Sequence, residues 1–252
     1  MANTFDSGVP QKPLNGKAYG SIGHLPLSRV GPGDWHVHAG QARIACEKPR
    51  KGDRVVVTEK VDGSCVSVAN VGGELIVLTR SGYRTSDVTY DHLKLFGHWV
   101  ERNREPFAAL LEPGERVVGE WLGMAAGTRY DPSHAGFAPF IAFDLFRDGK
   151  RVLTDEFRSR VEGAGLKIAH VIHDGPTGMS ICDAMLALGE NGFHGAIDPV
   201  EGAVWRVERE GKVDFLTKFV RLDKTDGKYF PNISGLDPIW HFGPRDVFGG
   251  NV

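Results

Sequence analysis

A chain of 252 residues, 41% hydrophobic and 25% charged, carries enough apolar side chains for a sizeable core and excludes wholesale disorder. Its formal net charge of −2 excludes a protein that coats nucleic acid through bulk charge, so any such contact must come from a local patch. The three cysteines, Cys46, Cys65 and Cys182, are widely spaced and form neither a zinc pattern nor a disulfide framework. They fit a reducing cytosol. No apolar run approaches the about 20 residues that span a bilayer, and no secretory signal core opens the chain, so a cytoplasmic protein with no membrane partner is predicted.

In chain order, residues 1–40 are rich in Gly, Pro and His ("LNGKAYGSIGHLPLSRVGPGDWHVHAG") and read as extended loop with turns rather than a packed element. "RVVVTEKVDGSCVSVAN" (54–70) sets Asp62-Gly63 between two β-branched runs, the strongest short hairpin signal. Strands are predicted at Val55–Thr58, Val66–Ala69, Leu75–Thr79, Arg116–Trp121, Phe140–Phe146, Ile168–Ile172, Ala203–Val207 and Val213–Phe219. Helical stripes run through Leu93, Phe96, Trp99 and Val100, then Phe107, Leu110 and Leu111 after Pro106. Phe157 and Val161 mark a short helix. Ile181, Met185 and Leu188 mark another, with Ser180 and Asp183 resembling a capping box and Gly189 as a stop. Strands and helices do not alternate, so the predicted class is α+β with antiparallel sheets and flanking helices.

Six segments appear in a telling order: "TEKVDGS" (58–64), "LTRSGY" (78–83), "VVGEWLG" (117–123), "FIAFDLF" (140–146), "EGAVWR" (201–206) and "DFLTKFVRLDK" (214–224). The series resembles the motifs of the covalent nucleotidyltransferases, the ATP-dependent ligases and mRNA capping enzymes, and within them the RNA ligase family. The upstream "YGSIGHLPLSRVGPGDWHVHAGQARIACEKP" is similar to the N-terminal segment of bacterial and phage members. The resemblance implies a nucleotidyltransferase fold (ATP-grasp-like, as in ligases), with a nucleotide cleft between antiparallel sheets. It implies one adenylyltransferase domain over 1–252, with a loop-rich segment (1–50) packed on it and a short C-terminal extension (222–252).

The same resemblance assigns roles. Lys60 would attack the α-phosphate of ATP to give a lysyl–AMP phosphoramidate, splitting one hard step into two. A free lysine is protonated at neutral pH, so the site is expected to favour the neutral amine, with Mg²⁺ (or Mn²⁺) and Lys218 pushing its pKa down. Asp62 would orient Lys60 or a metal-bound water. Glu59 would meet the adenine edge, Arg80 the ribose or the acceptor 5′-phosphate, and Glu120 the ribose hydroxyl. Phe143 would stack on adenine, Glu201 would help hold the metal, and Lys218 would neutralise the α-phosphate.

Two departures from the family's pattern matter. Its last motif often carries two closely spaced lysines, whereas here Lys218 stands alone, with Arg221 three residues on. Only residues 222–252 follow, too few for an appended oligonucleotide-binding barrel of five strands. Contacts to the nucleic-acid backbone are therefore expected from the basic clusters, through Arg43, Lys48, Arg54, Arg221 and Lys224. Trp35 and Trp240 read as buried or rim aromatics, with stacking on unpaired bases as the alternative. The predicted activity is ATP-dependent RNA ligation, joining 5′-phosphate to 3′-hydroxyl at RNA ends or a nick. A separate end-healing enzyme is the expected partner. The alternatives are a nucleotidyltransferase with another acceptor (a DNA nick, a protein or a small molecule) and a non-catalytic nucleotide or RNA binder.

Overall fold

The computed structural model describes residues 10–249. The strands are β1 (Gly23–His24), β2 (Arg54–Lys60), β3 (Ser64–Val71), β4 (Glu74–Thr79), β5 (Glu115–Trp121), β6 (Phe140–Arg147), β7 (Lys150–Arg151), β8 (Lys167–Ile168), β9 (Val171–Gly175), β10 (Gly202–Arg209) and β11 (Lys212–Val220). The helices are α1 (Ala39–Cys46), α2 (Asp91–Arg102), α3 (Arg104–Leu110), α4 (Thr154–Gly163), α5 (Ile181–Leu188), α6 (Pro231–Ser234) and α7 (Pro244–Phe248). They build two sheets. The first runs β1-β11-β10-β2-β9, and the second β4-β3-β5-β6-β7 with β8 beside β6. Antiparallel pairing dominates; among the named strands of the described residues, β1 on β11 and β8 on β6 are the parallel pairs.

Two strand predictions change meaning in three dimensions. The Asp62-Gly63 turn does not close a hairpin, because β2 pairs with β10 and β9 while β3 pairs with β4 and β5. The turn is a crossover between the sheets. Gly63 is required by close approach, since a Cβ there would lie 2.5 Å from the Trp121 carbonyl oxygen and 2.7 Å from Leu122 Cδ2. The single strand expected over Ile168–Ile172 is likewise two. β8 joins the second sheet, and β9, after Ala169-His170, joins the first. The Ala169 N–H donates to Ala142 at 2.9 Å and the His170 carbonyl accepts from Glu59 N–H at 2.9 Å, so two adjacent residues serve different sheets.

The stripe on α2 packs against the second sheet as its period predicts. Phe96 is fully buried, its ring centroid 5.3 Å from Trp121 and 5.6 Å from Phe140. The first sheet turns Val55, Val57, Ala203, Trp205 and Val207 toward α1 and α5. Helix α1 was not expected; His38 makes no side-chain cap and its first turn holds no acid, so local signals are missing. The loop-rich stretch before it is packed all the same, with Ala18 and Leu25 at 0% exposure and β1 docked on β11.

For α5 the capping signal operates. Ser180 Oγ accepts from Asp183 N–H at 3.1 Å and donates to its carboxylate at 2.7 Å. Ser180→Ala is expected to cost about 1 kcal/mol, read as a shifted denaturant midpoint with unchanged slope.

A buried ionic network that includes a cleft-lining residue also joins the two sheets. Arg206 of β10 donates to Asp144 of β6 at 3.0 Å and to Glu208 at 3.0 Å, and Arg151 donates to Asp144 at 2.6 Å. Such a network is fixed in geometry because each charge is costly to leave unpaired. It holds the two sheets in register around the cleft.

Candidate active site

Strand alternation builds the cleft. The face of the first sheet opposite α1 and α5 presents Val56, Thr58 and Lys60 from β2, Val204 and Arg206 from β10, and Leu216 and Lys218 from β11. The second sheet contributes Cys65, Glu120, Ile141 and Phe143. Tyr19, Gly20 and Ile22 of the N-terminal segment complete the lining, a contribution that loop-like composition hides.

Lys60 ends β2, level with Gly202 of β10. Its Nζ donates to Glu201 Oε2 at 2.6 Å, and Glu201 is only 6% exposed. Burial pushes the Lys60 pKa down, but Glu201, Glu120 and Asp62 outweigh it and hold the ammonium above the ordinary lysine value. The protein's own carboxylates thus favour the charged amine, and act against the lowering expected from Mg²⁺ and Lys218. Glu120 is pushed up to about 8, chiefly by burial, against the lowering effect of Lys60. Burial also raises Glu201 above the ordinary carboxylate range despite Lys60.

Lys218 faces the same cleft from β11, and its side chain makes no ion pair or hydrogen bond among the described residues. Burial and the neighbouring Lys60 charge lower its pKa. A half-buried lysine without a protein partner suits a phosphate oxygen. Arg80 reaches the cleft beside it, with Nη2 donating to Ser21 Oγ at 2.9 Å. Phe143 is half-buried in the wall, its ring braced edge-on by Tyr19 at 5.1 Å. The carboxylate of Glu59, by contrast, serves the loop after α5. It accepts the Phe193 N–H at 2.8 Å, and burial pushes its pKa up to about 7.

Asp62 is clamped. Its Oδ2 accepts from Lys224 Nζ at 2.5 Å and from Gly127 N–H at 3.0 Å, while its own N–H donates to Tyr130 Oη at 2.9 Å. Lys224 also donates to Thr128 Oγ1 at 2.5 Å and is buried. Lys224 is therefore a site residue that sequence reasoning sent to the surface. Its local sequence gives no such signal, because its partner lies 162 residues earlier in the chain.

The other basic residues expected to hold nucleic acid do not converge on the cleft. Arg54 is bound to Asp174 and Asp155 at 2.6–2.8 Å. Arg221 donates to the Val200 carbonyl at 2.5 Å and to Asp223 at 2.8–2.9 Å. Arg43 lies on α1 and Lys48 just beyond it, behind the first sheet from the cleft.

As for a metal, no three acid, imidazole or thiol groups among the described residues converge to hold one alone. Glu120 makes no side-chain hydrogen bond there, and with Glu201 it offers hard oxygens beside the lysine. That donor set fits a divalent ion whose shell is completed by water and phosphate oxygens. Asp62 fits less well as a ligand, because Lys224 and Gly127 already occupy its Oδ2.

Two antiparallel sheets around a cleft, with a lysine at the strand end where one sheet crosses to the other, define a nucleotidyltransferase fold. The RNA ligase family model matches residues 53–220, two thirds of the chain, and the protein belongs to that family. Among solved structures, an archaeal ATP-dependent RNA ligase aligns over 81% of this chain and 48% of its own, at 20% identity and a TM-score of 0.50. A point mutant of the Naegleria gruberi RNA ligase with ATP and Mn aligns over 68% of this chain and 50% of its own, at 16% identity and a TM-score of 0.52. The same Naegleria ligase with PPi gives 17% identity and a TM-score of 0.50. At these identities the likeness is one of fold, and the chain spans about half the length of each. No curated relative matches the chain.

Proposed function

We propose that this protein is an ATP-dependent RNA ligase that carries AMP on Lys60 Nζ. The observation behind the proposal is the meeting of Lys60, Glu120, Glu201 and Lys218 in one cleft walled by Phe143. Family membership and the Naegleria ligase structures with ATP and Mn and with PPi support it. Nζ attacks the α-phosphorus, a P–N bond forms, and the bond to pyrophosphate breaks. The activated AMP then passes to the RNA 5′-phosphate and is released when the 3′-hydroxyl joins.

The chain's own groups divide the work. Phe143 stacks the base, and Glu120 accepts from the ribose. Lys218 neutralises charge on the α-phosphate, which is worth most in a site shielded from water. Glu201 Oε2 holds a proton of the Lys60 ammonium and aims Nζ, so it is the atom placed to accept that proton before attack. The Lys224–Asp62 pair fixes the crossover that carries Lys60. Glu201 and Glu120 would hold a divalent ion here, which would supply further neutralisation of the triphosphate.

The test is mass spectrometry of the protein after incubation with ATP and Mg²⁺. A gain of one AMP on Lys60 is expected. Absence of any nucleotide adduct, with GTP tried as well, would sink the reading. A 5′-phosphorylated RNA nick beside its DNA counterpart then identifies the acceptor; joining of DNA alone would overturn the assignment to RNA.

A further inference from the structure

A second groove shares Lys60, Cys65, Arg80 and Glu120 with the nucleotide cleft. It runs from them to the start of α2 and to the segment after β11, where Tyr90, His92, Phe230 and Trp240 line it. We propose that this groove seats the unpaired 3′-terminal nucleotides of the RNA acceptor, stacked on Tyr90, with the 3′-hydroxyl directed to the Lys60 end. The proposal rests on reading the chain as a ligase.

Continuity comes first. The groove reaches the reacting lysine without passing through the wall that Phe143 and Tyr19 give the nucleotide cleft, so a second substrate can approach while the first is bound. The lining chemistry comes second. The His92 ring stacks on Phe230 at 5.5 Å and 23°, and Tyr90 packs against His92 at 5.9 Å with its ring tilted by 52°. Tyr90 is left 59% exposed at the edge of this cluster. A flat base can stack on that free ring, and any base will serve because each has a π-face. A base inside a duplex already has a stacked neighbour on each face, so the exposed ring favours an unpaired end.

Charge comes third. Lys17, Lys60 and Arg80 line the groove against Asp91 and Glu120, and the remaining polar groups are mostly hydroxyls. Few cations are available elsewhere near the cleft, because Arg54, Arg221 and Lys224 are held by carboxylates and carbonyls. The grip on RNA is therefore mainly stacking, with two or three phosphate contacts. That predicts a shallow salt dependence, with log K falling against log salt at a slope of about −1 to −2.

The experiment uses the full chain and 5′-fluorescein hexaadenylate RNA, read by anisotropy beside a blunt 12-base-pair RNA duplex. Wild type should bind the single strand more tightly than the duplex, with the shallow slope given above. Tyr90→Ala should weaken single-strand binding about tenfold, while Tyr90→Phe stays within about twofold of wild type. Both variants should take up labelled AMP as wild type does, since Tyr90 touches neither Lys60 nor the nucleotide cleft. If Tyr90→Ala adenylylates normally and binds hexaadenylate as tightly as wild type, or if the duplex binds at least as well, the groove proposal is overturned and the ligase reading stands. If wild type takes up no AMP, the ligase reading falls and this proposal falls with it.

Discussion

Lys60→Arg protein incubated with ATP and Mg²⁺ is expected to remain folded and to take up no AMP. Arginine is the informative substitution because it separates charge from nucleophilicity. Lys60 Nζ is the hydrogen-bond partner of Glu201, a carboxylate only 6% exposed. Lys60→Ala would strand that carboxylate, and its loss of activity could be loss of fold, since removing one member of a buried pair costs about 3–5 kcal/mol. A guanidinium keeps a cation beside Glu201, Glu120 and Asp62 but stays protonated at any working pH, so it has no lone pair to offer phosphorus. The expected result is a denaturant midpoint near that of wild type, retained ATP binding by calorimetry, and adduct at background. An AMP adduct on the Lys60→Arg protein at wild-type yield would move the nucleophile elsewhere and dismantle the site described above.

The residues that converge on the cleft were legible in the sequence because most sit at strand ends or along strands whose β-branched runs are plain. Lys60 closes β2, Glu120 stands near the end of β5, Glu201 precedes β10, and Lys218 lies in β11. Alternation along each strand then decides which residues share the cleft face, and that is a local property. Two things were not local. One was which sheet a strand joins. Asp62-Gly63 carries a hairpin signal, yet its glycine answers to Trp121, a residue 58 positions on in another strand. Ile168–Ile172 has the composition of one strand, but its pairing partners lie in different sheets. The other was the fate of each charge. Composition shows a run of basic residues, but not that Arg54 is bound by Asp174 and Asp155 or that Arg221 is spent on backbone carbonyls. Availability of a cation depends on its partners, which come from distant segments. Lys224 shows both effects at once: a lysine in a polar stretch near the C-terminus becomes the buried partner of an aspartate 162 residues earlier.

That buried pair carries the second large prediction. Lys224→Met should lower stability by about 3 kcal/mol and slow self-adenylylation by about 100-fold. The side chain of Lys224 is 3% exposed and that of Asp62 12%, so the carboxylate left behind gains little from solvent. Methionine fills much of the lysine's volume, which limits the cavity contribution and leaves the lost charge as the main effect. For a chain of this size such a loss lowers the melting temperature by about 6–12 °C. The rate should fall because Asp62 lies two residues after the nucleophile, in the crossover that aims it, and its carboxylate loses its strongest anchor while keeping the Gly127 N–H. Misplacing a reacting group by about 1 Å is enough for a loss of this order. The double variant Lys224→Met with Asp62→Asn separates the two consequences. Removing the unpaired charge should restore much of the stability, while adenylylation stays slow because the anchor is still missing. Recovery of both together would mean that Lys224 acts on folding alone. A single Lys224→Met variant that melts and adenylylates like wild type would show that the clamp on Asp62 has no energetic weight.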